Sequence, residues 1–150
     1  MADVLDDGSL LETPEDRMAA PWHFWAIATV GLLWNCFGAL DYTMTQLRNP
    51  AWIGQIDAET LAKIDTAPLW ATSCWALGVW GSFVGAVLLL IRSRHAATAF
   101  AVSFLAALVS FAWQYSAGLV ATPILPLAIL TAVAFFWWYA GKMRDAGVQT

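Results

Sequence analysis

Long apolar stretches separated by short clusters of charged residues are the main feature of this 150-residue chain. Lysine, arginine, aspartate and glutamate are absent from three windows, 18–40, 66–91 and 95–141. A membrane-spanning helix needs about 20 mostly apolar residues, so the first two windows each hold one span and the third holds two. The windows are too long for barrel strands and lack their alternating pattern. The pattern therefore predicts an all-α integral membrane four-helix bundle.

The four spans belong to one membrane domain, 22–141, and a turn near Gly118 separates the last two. We place the spans at 22–43, 68–91, 97–117 and 122–141. At the start of the fourth span, Thr122 is expected to cap the helix and Pro123 to occupy its first position, where a missing N–H does no harm.

The composition supports a membrane protein and excludes other classes. Hydrophobic residues make up 60% of the chain and charged residues 12%, whereas soluble domains have roughly 25% charged residues. A net charge of −4 gives no basic surface for nucleic acid. Residues 1–21 are acidic and lack a signal-peptide pattern, so we expect a disordered cytoplasmic tail, and 142–150 form a short C-terminal tail.

Lysine and arginine positions predict the orientation of the bundle. The side that carries both tails and the loop between the second and third spans has five of these residues, and the opposite side has two. The five are Arg17, Arg92, Arg94, Lys142 and Arg144, and the two are Arg48 and Lys63. Since cytoplasmic loops are enriched in basic residues, we expect both termini in the cytoplasm.

The loop 44–67 is the only sizeable polar segment on the predicted outer side. Asp57 is an N-cap residue in front of a short helical pattern, and Ile56, Leu61 and Ile64 lie on one face of that pattern. We expect a short helix lying flat on the membrane interface. Two roles stay open for it, a lid over an external cavity or plain loop packing.

Polar residues within the spans are the main functional candidates, because they are expensive in lipid. Asn35, Asp41 and Tyr42 share one face of the first span, in its outer half. Asp41 is either an interfacial carboxylate that is hydrated or paired with Arg48, or part of a binding site. The proposed ligand-binding residues are Asn35, Asp41, Tyr42 and Gln114, with Trp34, Trp70 and Trp113 as aromatic walls.

Small residues form a seam along the second span, which includes a G-x-x-x-G pattern. The seam consists of Cys74, Gly78, Gly81 and Gly85. Small residues let membrane helices approach closely, either within one bundle or between subunits. Cys36 and Cys74 lie at similar depths, and the sequence leaves open whether they are close. Buried free thiols are the expected state.

Enzymatic chemistry finds no support in the sequence. The chain has no CxxC pair and no glycine-rich phosphate loop, and its histidines, His23 and His95, both lie near the predicted cytoplasmic face. Interfacial histidines do not suit a buried haem, and no ligand spacing for a metal occurs. We therefore expect a protein without catalytic residues, metal or cofactor.

The segment from Trp34 to Asn49, WNCFGALDYTMTQLRN, is distinctive, as is ALGVWG at 76–81. Both resemble a family of small bacterial four-span inner-membrane proteins with a WNxxGxxDYTMTQxRN signature. The resemblance covers roughly 22–141 and implies a multi-pass protein of the cell inner membrane. Members are mostly of unknown function, and some carry an automatic sugar-transporter label. The resemblance supplies no binding residue, but it draws attention to the segment around Asp41.

Two functions follow as hypotheses. The first is a protein that binds or transports a small polar, sugar-like solute; four spans make a thin bundle, so we expect a homo-oligomer. The second is a non-catalytic accessory subunit or assembly factor of a larger membrane complex. In that case the glycine seam and the 44–67 loop would be the docking surfaces. The lipid bilayer is a partner in both.

Overall fold

The computed structural model describes residues 19–120 and 122–149. Within these residues all regular structure is helical, as the apolar pattern predicts. The helices are α1 (Trp22–Gln46), α2 (Pro50–Ile53), α3 (Ala58–Asp65), α4 (Leu69–Leu90), α5 (Ala96–Ser116) and α6 (Ile124–Asp145). Four of them, α1, α4, α5 and α6, are long and apolar enough to cross a membrane. This confirms the four predicted spans. Most of the acidic tail expected at 1–21 lies outside the described residues.

The four long helices pack in chain order, each antiparallel to the next. α1 contacts α4, α4 contacts α5, and α5 contacts α6. One end of the bundle carries α2, α3 and the α5–α6 turn, and we call it the loop end. The other end carries both chain termini, and we call it the terminal end.

The closest packing is between α4 and α5, along the small-residue seam. A Cβ built on Gly78 would lie 3.2 Å from the backbone of Ala107, and one on Gly81 would lie 3.1 Å from Ser103. The Ser103 hydroxyl donates a hydrogen bond to the Gly78 carbonyl. The seam therefore joins two helices of the same chain, which is the intramolecular alternative for a G-x-x-x-G pattern.

The solid core of the bundle lies at its terminal end. Phe24 and Tyr139 stack with ring centroids 6.4 Å apart, which brings α1 against α6. Phe100 and Phe136 stack at 5.7 Å and join α5 to α6. Val148, beyond α6, is buried in the same cluster. The C-terminal tail therefore packs back onto the bundle instead of extending from it.

The start of α6 differs from the sequence prediction. The helix begins at Ile124, Pro123 is its N-cap residue, and Thr122 makes no capping hydrogen bond. The later start places Pro126 in the first turn, where backbone N–H groups have no partner in the helix anyway. Two prolines therefore fit with no lost hydrogen bond, and a threonine cap is not needed.

Each span ends in the left-handed turn that closes many helices. Glycine takes this conformation after α5 and α6, at Gly118 and Gly147. After α1 and α4 it is taken by Arg48 and Arg92, with φ of 54° and 62°. A side chain in this region is strained by about 1 kcal/mol or more. Contacts made by the two arginines must offset that strain.

Candidate functional site

A cavity of about 210 Å³ lies at the loop end, between α1, α3, α4 and α5. The cavity lies at the end of the bundle opposite both termini, which is the end that the sequence predicts to face outward. Its lining consists of Asp41, Thr45, Ile56, Thr60, Ile64, Ala67, Ala71, Thr72, Trp75, Ser110, Trp113, Gln114 and Leu119. The loop end therefore has a partly open cavity that places polar groups beside aromatic rings. A second pocket lies at the terminal end, lined by residues that include His23, Tyr139 and Lys142.

Asp41 supplies the carboxylate of the cavity. Its Oδ1 accepts a hydrogen bond of 2.8 Å from the indole Nε1 of Trp52. The Asn49–Pro50 pair sets up this contact: the Asn49 side chain accepts from the Ala51 N–H, and Pro50 begins α2. The short helix turns the chain back over the end of α1 and delivers Trp52 to Asp41.

Arg48 does not pair with Asp41, which corrects one alternative for that carboxylate. Its guanidinium instead forms an ion pair with Asp65 at the end of α3. Among the described residues, the only hydrogen-bond or ion-pair partner of the Asp41 carboxylate is the neutral indole of Trp52, while the backbone carbonyl of Asp41 accepts a hydrogen bond from the Thr45 hydroxyl. The carboxylate therefore lines the cavity without an ion pair to any described residue.

Gln114 and Ser110 provide polar groups on the α5 side of the cavity. The Gln114 amide nitrogen donates a 3.0 Å hydrogen bond to the Ser110 hydroxyl, and both residues line the cavity. The amide oxygen has no hydrogen-bond partner within the described residues. A ligand with a donor group therefore finds an acceptor on α5, in the same cavity as Asp41.

Two indole rings form aromatic walls. Trp75 of α4 and Trp113 of α5 line the cavity. Tyr42 packs edge-on against Trp75 with centroids 4.9 Å apart, and Trp70 packs edge-on against Trp113 at 6.4 Å. Tyr42 and Trp70 support these walls from behind and are not themselves lining residues.

Thr60 and Ile64 of α3, together with Ile56 in front of the helix, form the roof of the cavity. Asp57 caps α3, as the sequence predicts, by accepting a 2.9 Å hydrogen bond from the Thr60 N–H. That hydrogen bond holds the pKa of Asp57 below its ordinary value. Two of the three residues of the predicted apolar face, Ile56 and Ile64, line the cavity, whereas Leu61 does not.

Two polar contacts hold the roof at its edges. The Asp65 carboxylate pairs with Arg48 at the end of α1. The Lys63 ammonium donates a 3.2 Å hydrogen bond to the Gly118 carbonyl in the α5–α6 turn, and it also pairs with Glu59 at 2.9 Å. These contacts tie α3 to two different spans across the mouth of the cavity.

The sequence-predicted site residues divide into two groups. Asp41, Trp113 and Gln114 come together around the cavity, although they lie on different helices. Asn35 is buried elsewhere, where its amide donates to the Gly31 carbonyl of its own helix at 2.7 Å. Trp34 is 49% exposed on the outside of the bundle and contributes no wall.

Sequence reasoning assigned no role in the site to several residues that form it. Trp52 and Thr60 lie in the loop, and their part in the site depends on how α2 and α3 fold back. Thr72 and Trp75 lie on α4 close to the seam residue Cys74, and their position beside the seam was the available signal in the sequence. The sequence indicates that Ile56 and Ile64 share an apolar face, but it does not predict that this face lines the cavity.

The site combines few polar groups with aromatic rings. It offers one carboxylate, one amide and several hydroxyl groups between indole walls. Within 19–120 and 122–149, no group of three or more histidine, cysteine, aspartate and glutamate side chains is arranged to hold a metal ion. Cys36 and Cys74 are both free thiols. The arrangement is that of a small polar pocket with aromatic sides.

Comparison with protein-family models, with curated proteins and with solved structures finds no match for this chain.

Proposed function

We propose that this protein binds a small polar solute in the loop-end cavity and passes it across the cell inner membrane. The observation that supports this most is the convergence of Asp41, Gln114 and Trp113 from two separate spans on one cavity beneath α3. Polar groups at membrane depth are costly, and they commonly mark substrate pathways. The volume of about 210 Å³ limits the solute to a small molecule, below the roughly 300–1,000 Å³ of ordinary ligand pockets.

The proposed orientation puts the cavity on the outer side of the membrane. The terminal end carries Arg92, Arg94, Lys142 and Arg144, whereas the loop end carries Arg48 and Lys63. By the positive-inside rule the termini are cytoplasmic. In this orientation the solute enters from outside, beneath α3, and the packed aromatic core at the terminal end is the barrier to its passage.

The transport path is proposed to need more than one copy. In a single chain the core at the terminal end leaves no continuous route, since Phe24, Phe100, Phe136 and Tyr139 fill it. Transporters commonly place the substrate between two repeats that move against each other. A homo-oligomer of this small bundle would supply the second half.

The alternative, an accessory subunit, loses its main docking surface. That hypothesis relied on the seam of Gly78, Gly81 and Gly85 for binding a partner, with the 44–67 loop as a second contact. Each of these glycines faces α5 of the same chain, at Ala107, Ser103 and Phe100 respectively. A partner would have to bind other surfaces, so solute binding is the better supported function.

Solute uptake into proteoliposomes tests the proposal. Glucose, glycerol, glycine and choline serve as labelled probes, and the variants are Asp41→Asn and Gln114→Ala. We expect uptake of at least one probe by the wild-type protein and a loss of about tenfold or more in both variants, because the first removes the negative charge of the cavity and the second removes its amide group. Asp145→Asn, the same chemical change on an exposed carboxylate, is the matched control.

Unchanged uptake in both cavity variants would contradict the assignment of the cavity. Copurification of the protein in a fixed ratio with an unrelated membrane protein, together with no uptake of any probe, would favour the accessory function instead.

A further inference from the structure

We propose that the solute is a small organic monocation, an alkylammonium or quaternary ammonium compound, bound between the Asp41 carboxylate and the indoles of Trp75 and Trp113. This inference rests on the proposed binding function and names the class of its ligand.

The charge of the cavity favours a cation. Asp41 is the only ionisable side chain among the described residues that line it. Its one partner, the Trp52 indole, is a neutral donor. Asp41 is half-buried in the wall of the cavity. A carboxylate in such a place attracts positive charge, because the interaction of charges is less screened there than in bulk water. A cationic ligand would balance this charge, whereas a neutral sugar could only donate hydrogen bonds to it.

The basic residues nearest the mouth of the cavity already have partners. Arg48 is paired with Asp65. Lys63 is held by Glu59 and by the Gly118 carbonyl. These contacts keep both cations at the edges of the roof. The same ion pairs that fasten α3 therefore leave the negative charge of Asp41 available to a ligand.

The aromatic walls favour an organic cation over a metal ion. Trp75 and Trp113 line the cavity, and indole is the best aromatic partner for an ammonium group. Divalent cations such as Ca²⁺ need about six to eight oxygen ligands, several of them usually carboxylates. The cavity has one carboxylate. An alkylammonium ion needs only one carboxylate for its charge and apolar or aromatic surfaces for its carbon atoms.

The remaining polar groups add hydrogen bonds for a ligand that carries a hydroxyl or an N–H. The Gln114 amide oxygen has no partner among the described residues, and it belongs to the lining of the same cavity as Asp41. A molecule with a cationic head and a short polar tail would contact Asp41 and Gln114 at once. Choline has this composition and is small enough for the volume of about 210 Å³, so it is the probe of choice.

Equilibrium binding of labelled choline to the full chain, in polyoxyethylene detergent that carries neither sugar nor ammonium, tests the inference. The matched competitor is 3,3-dimethyl-1-butanol, in which carbon replaces the charged nitrogen. We expect choline and tetramethylammonium to compete for one site and the neutral analogue to bind about tenfold more weakly or worse. Sodium chloride at equal concentration should not compete.

Two variants identify the groups responsible. Asp41→Asn should weaken choline binding by about tenfold or more while leaving the weak binding of the neutral analogue unchanged. Trp75→Phe keeps an aromatic ring and should weaken choline by about two- to tenfold, because the benzene ring attracts cations less than indole does. Asp145→Asn should bind choline as the wild-type protein does.

The results separate failure of the inference from failure of the proposed function. Equal binding of choline and its neutral analogue, or full choline affinity in Asp41→Asn, would overturn the inference. Binding of glucose or glycerol that depends on Gln114 but not on Asp41 would overturn it too, and would leave the solute-binding function in place. No binding of any of these probes to the wild-type protein would contradict both.

Discussion

Arg48 forms an ion pair with Asp65, and the contact joins the end of α1 to the end of α3. Arg48 holds a left-handed backbone conformation that arginine rarely adopts, with φ of 54°. The turn it makes directs the chain into α2 and allows Trp52 to reach Asp41. One residue thus closes α1 and fastens the roof of the cavity, and its ion pair is with Asp65 and not with the Asp41 carboxylate.

Removing the ion pair should loosen the roof without unfolding the bundle. In Asp65→Asn we expect amide exchange across 57–66 to rise by up to about fivefold, since partly exposed ion pairs are worth about 0.2–1 kcal/mol. Exchange in α5 should not change. Hydrogen exchange measured by mass spectrometry checks this.

The double variant provides the control for that experiment. Arg48→Gln should raise exchange in the same segment, and adding Asp65→Asn to it should have little further effect, because the shared contact is already lost. Fully additive effects would show that the two residues act independently.

The Asp57 cap should make α3 sensitive to acid. The Thr60 N–H bond holds the pKa of Asp57 below its ordinary 3.8. A lowered pKa means that the cap stabilises α3 fully above pH 3.8 and loses its effect as the pH falls through the lowered value. Exchange at 58–61, corrected for intrinsic rates, should therefore increase on acidification below that pH.

The Asp57→Asn variant keeps a capping side chain at the start of α3 but removes its titratable charge. Asparagine caps helices about as well as aspartate and does not titrate. We expect α3 in this variant to show normal protection near neutral pH and no acid-induced rise. A rise equal to that of the wild-type protein would assign the acid sensitivity to another group.

Alanine substitution should have opposite effects on stability at two glycines that both lie within spans, Gly78 in the α4–α5 seam and Gly38 in α1. Gly78→Ala puts a Cβ 3.2 Å from the Ala107 backbone, which cannot move without shifting α5. We expect a loss of about 1–3 kcal/mol from such overpacking. A Cβ on residue 38 has no neighbouring atom within 4 Å, so Gly38→Ala should stabilise α1 by up to about 1 kcal/mol. Thermal unfolding in detergent measures both, and a stabilised Gly78→Ala variant would contradict the seam.

Tyr139 carries a polar atom that the described residues do not satisfy. The residue is only 4% exposed, and its hydroxyl is buried with no hydrogen-bond partner among them. Tyr139→Phe should raise the unfolding temperature, because it removes an unpaired group that costs about 1–3 kcal/mol to bury. Tyr115→Phe, at a residue 66% exposed, should have little effect. A lower unfolding temperature for Tyr139→Phe would reveal a partner beyond the described residues.

The spans were predictable because lipid imposes a simple rule on composition. The window 66–91 allowed one helix, and α4 occupies Leu69–Leu90. The break in 95–141 was also predictable, since Gly118 adopts the left-handed turn that glycine favours. The first residue of α6 was not predictable. A helix that begins near Pro123 and one that begins at Ile124 both place the two prolines, Pro123 and Pro126, where no backbone hydrogen bond is lost, so the local sequence does not favour either start.

The candidate site was predictable only in part. Helical spacing correctly placed Asn35 and Asp41 on one broad face of α1. Within that face the two side chains differ, because the Asn35 amide donates a hydrogen bond to the Gly31 carbonyl, whereas the Asp41 carboxylate lines the cavity. The pairing of Arg48 with Asp65, not Asp41, depends on the fold of the loop. The hydrogen bond from Trp52 to Asp41 joins the loop to α1, and such contacts could not be predicted because helical periodicity relates only residues of the same helix.

The most direct test of the account is the accessibility of a cysteine placed inside the cavity. Thr72→Cys, in a background with Cys36→Ala and Cys74→Ala, puts one thiol among the lining residues. In intact cells we expect a membrane-impermeant cationic thiosulfonate to label it from outside, faster than an anionic reagent of similar size. Asp41→Asn should reduce that difference, because it removes the negative charge of the cavity.

Thr98→Cys in the same background is the control, since position 98 is exposed near the terminal end. Labelling there should require permeabilised cells. The account predicts external, cation-selective labelling at position 72 and none at position 98. Labelling at position 98 from outside, or none at position 72 with either reagent, would contradict an outward-facing cavity lined by Asp41.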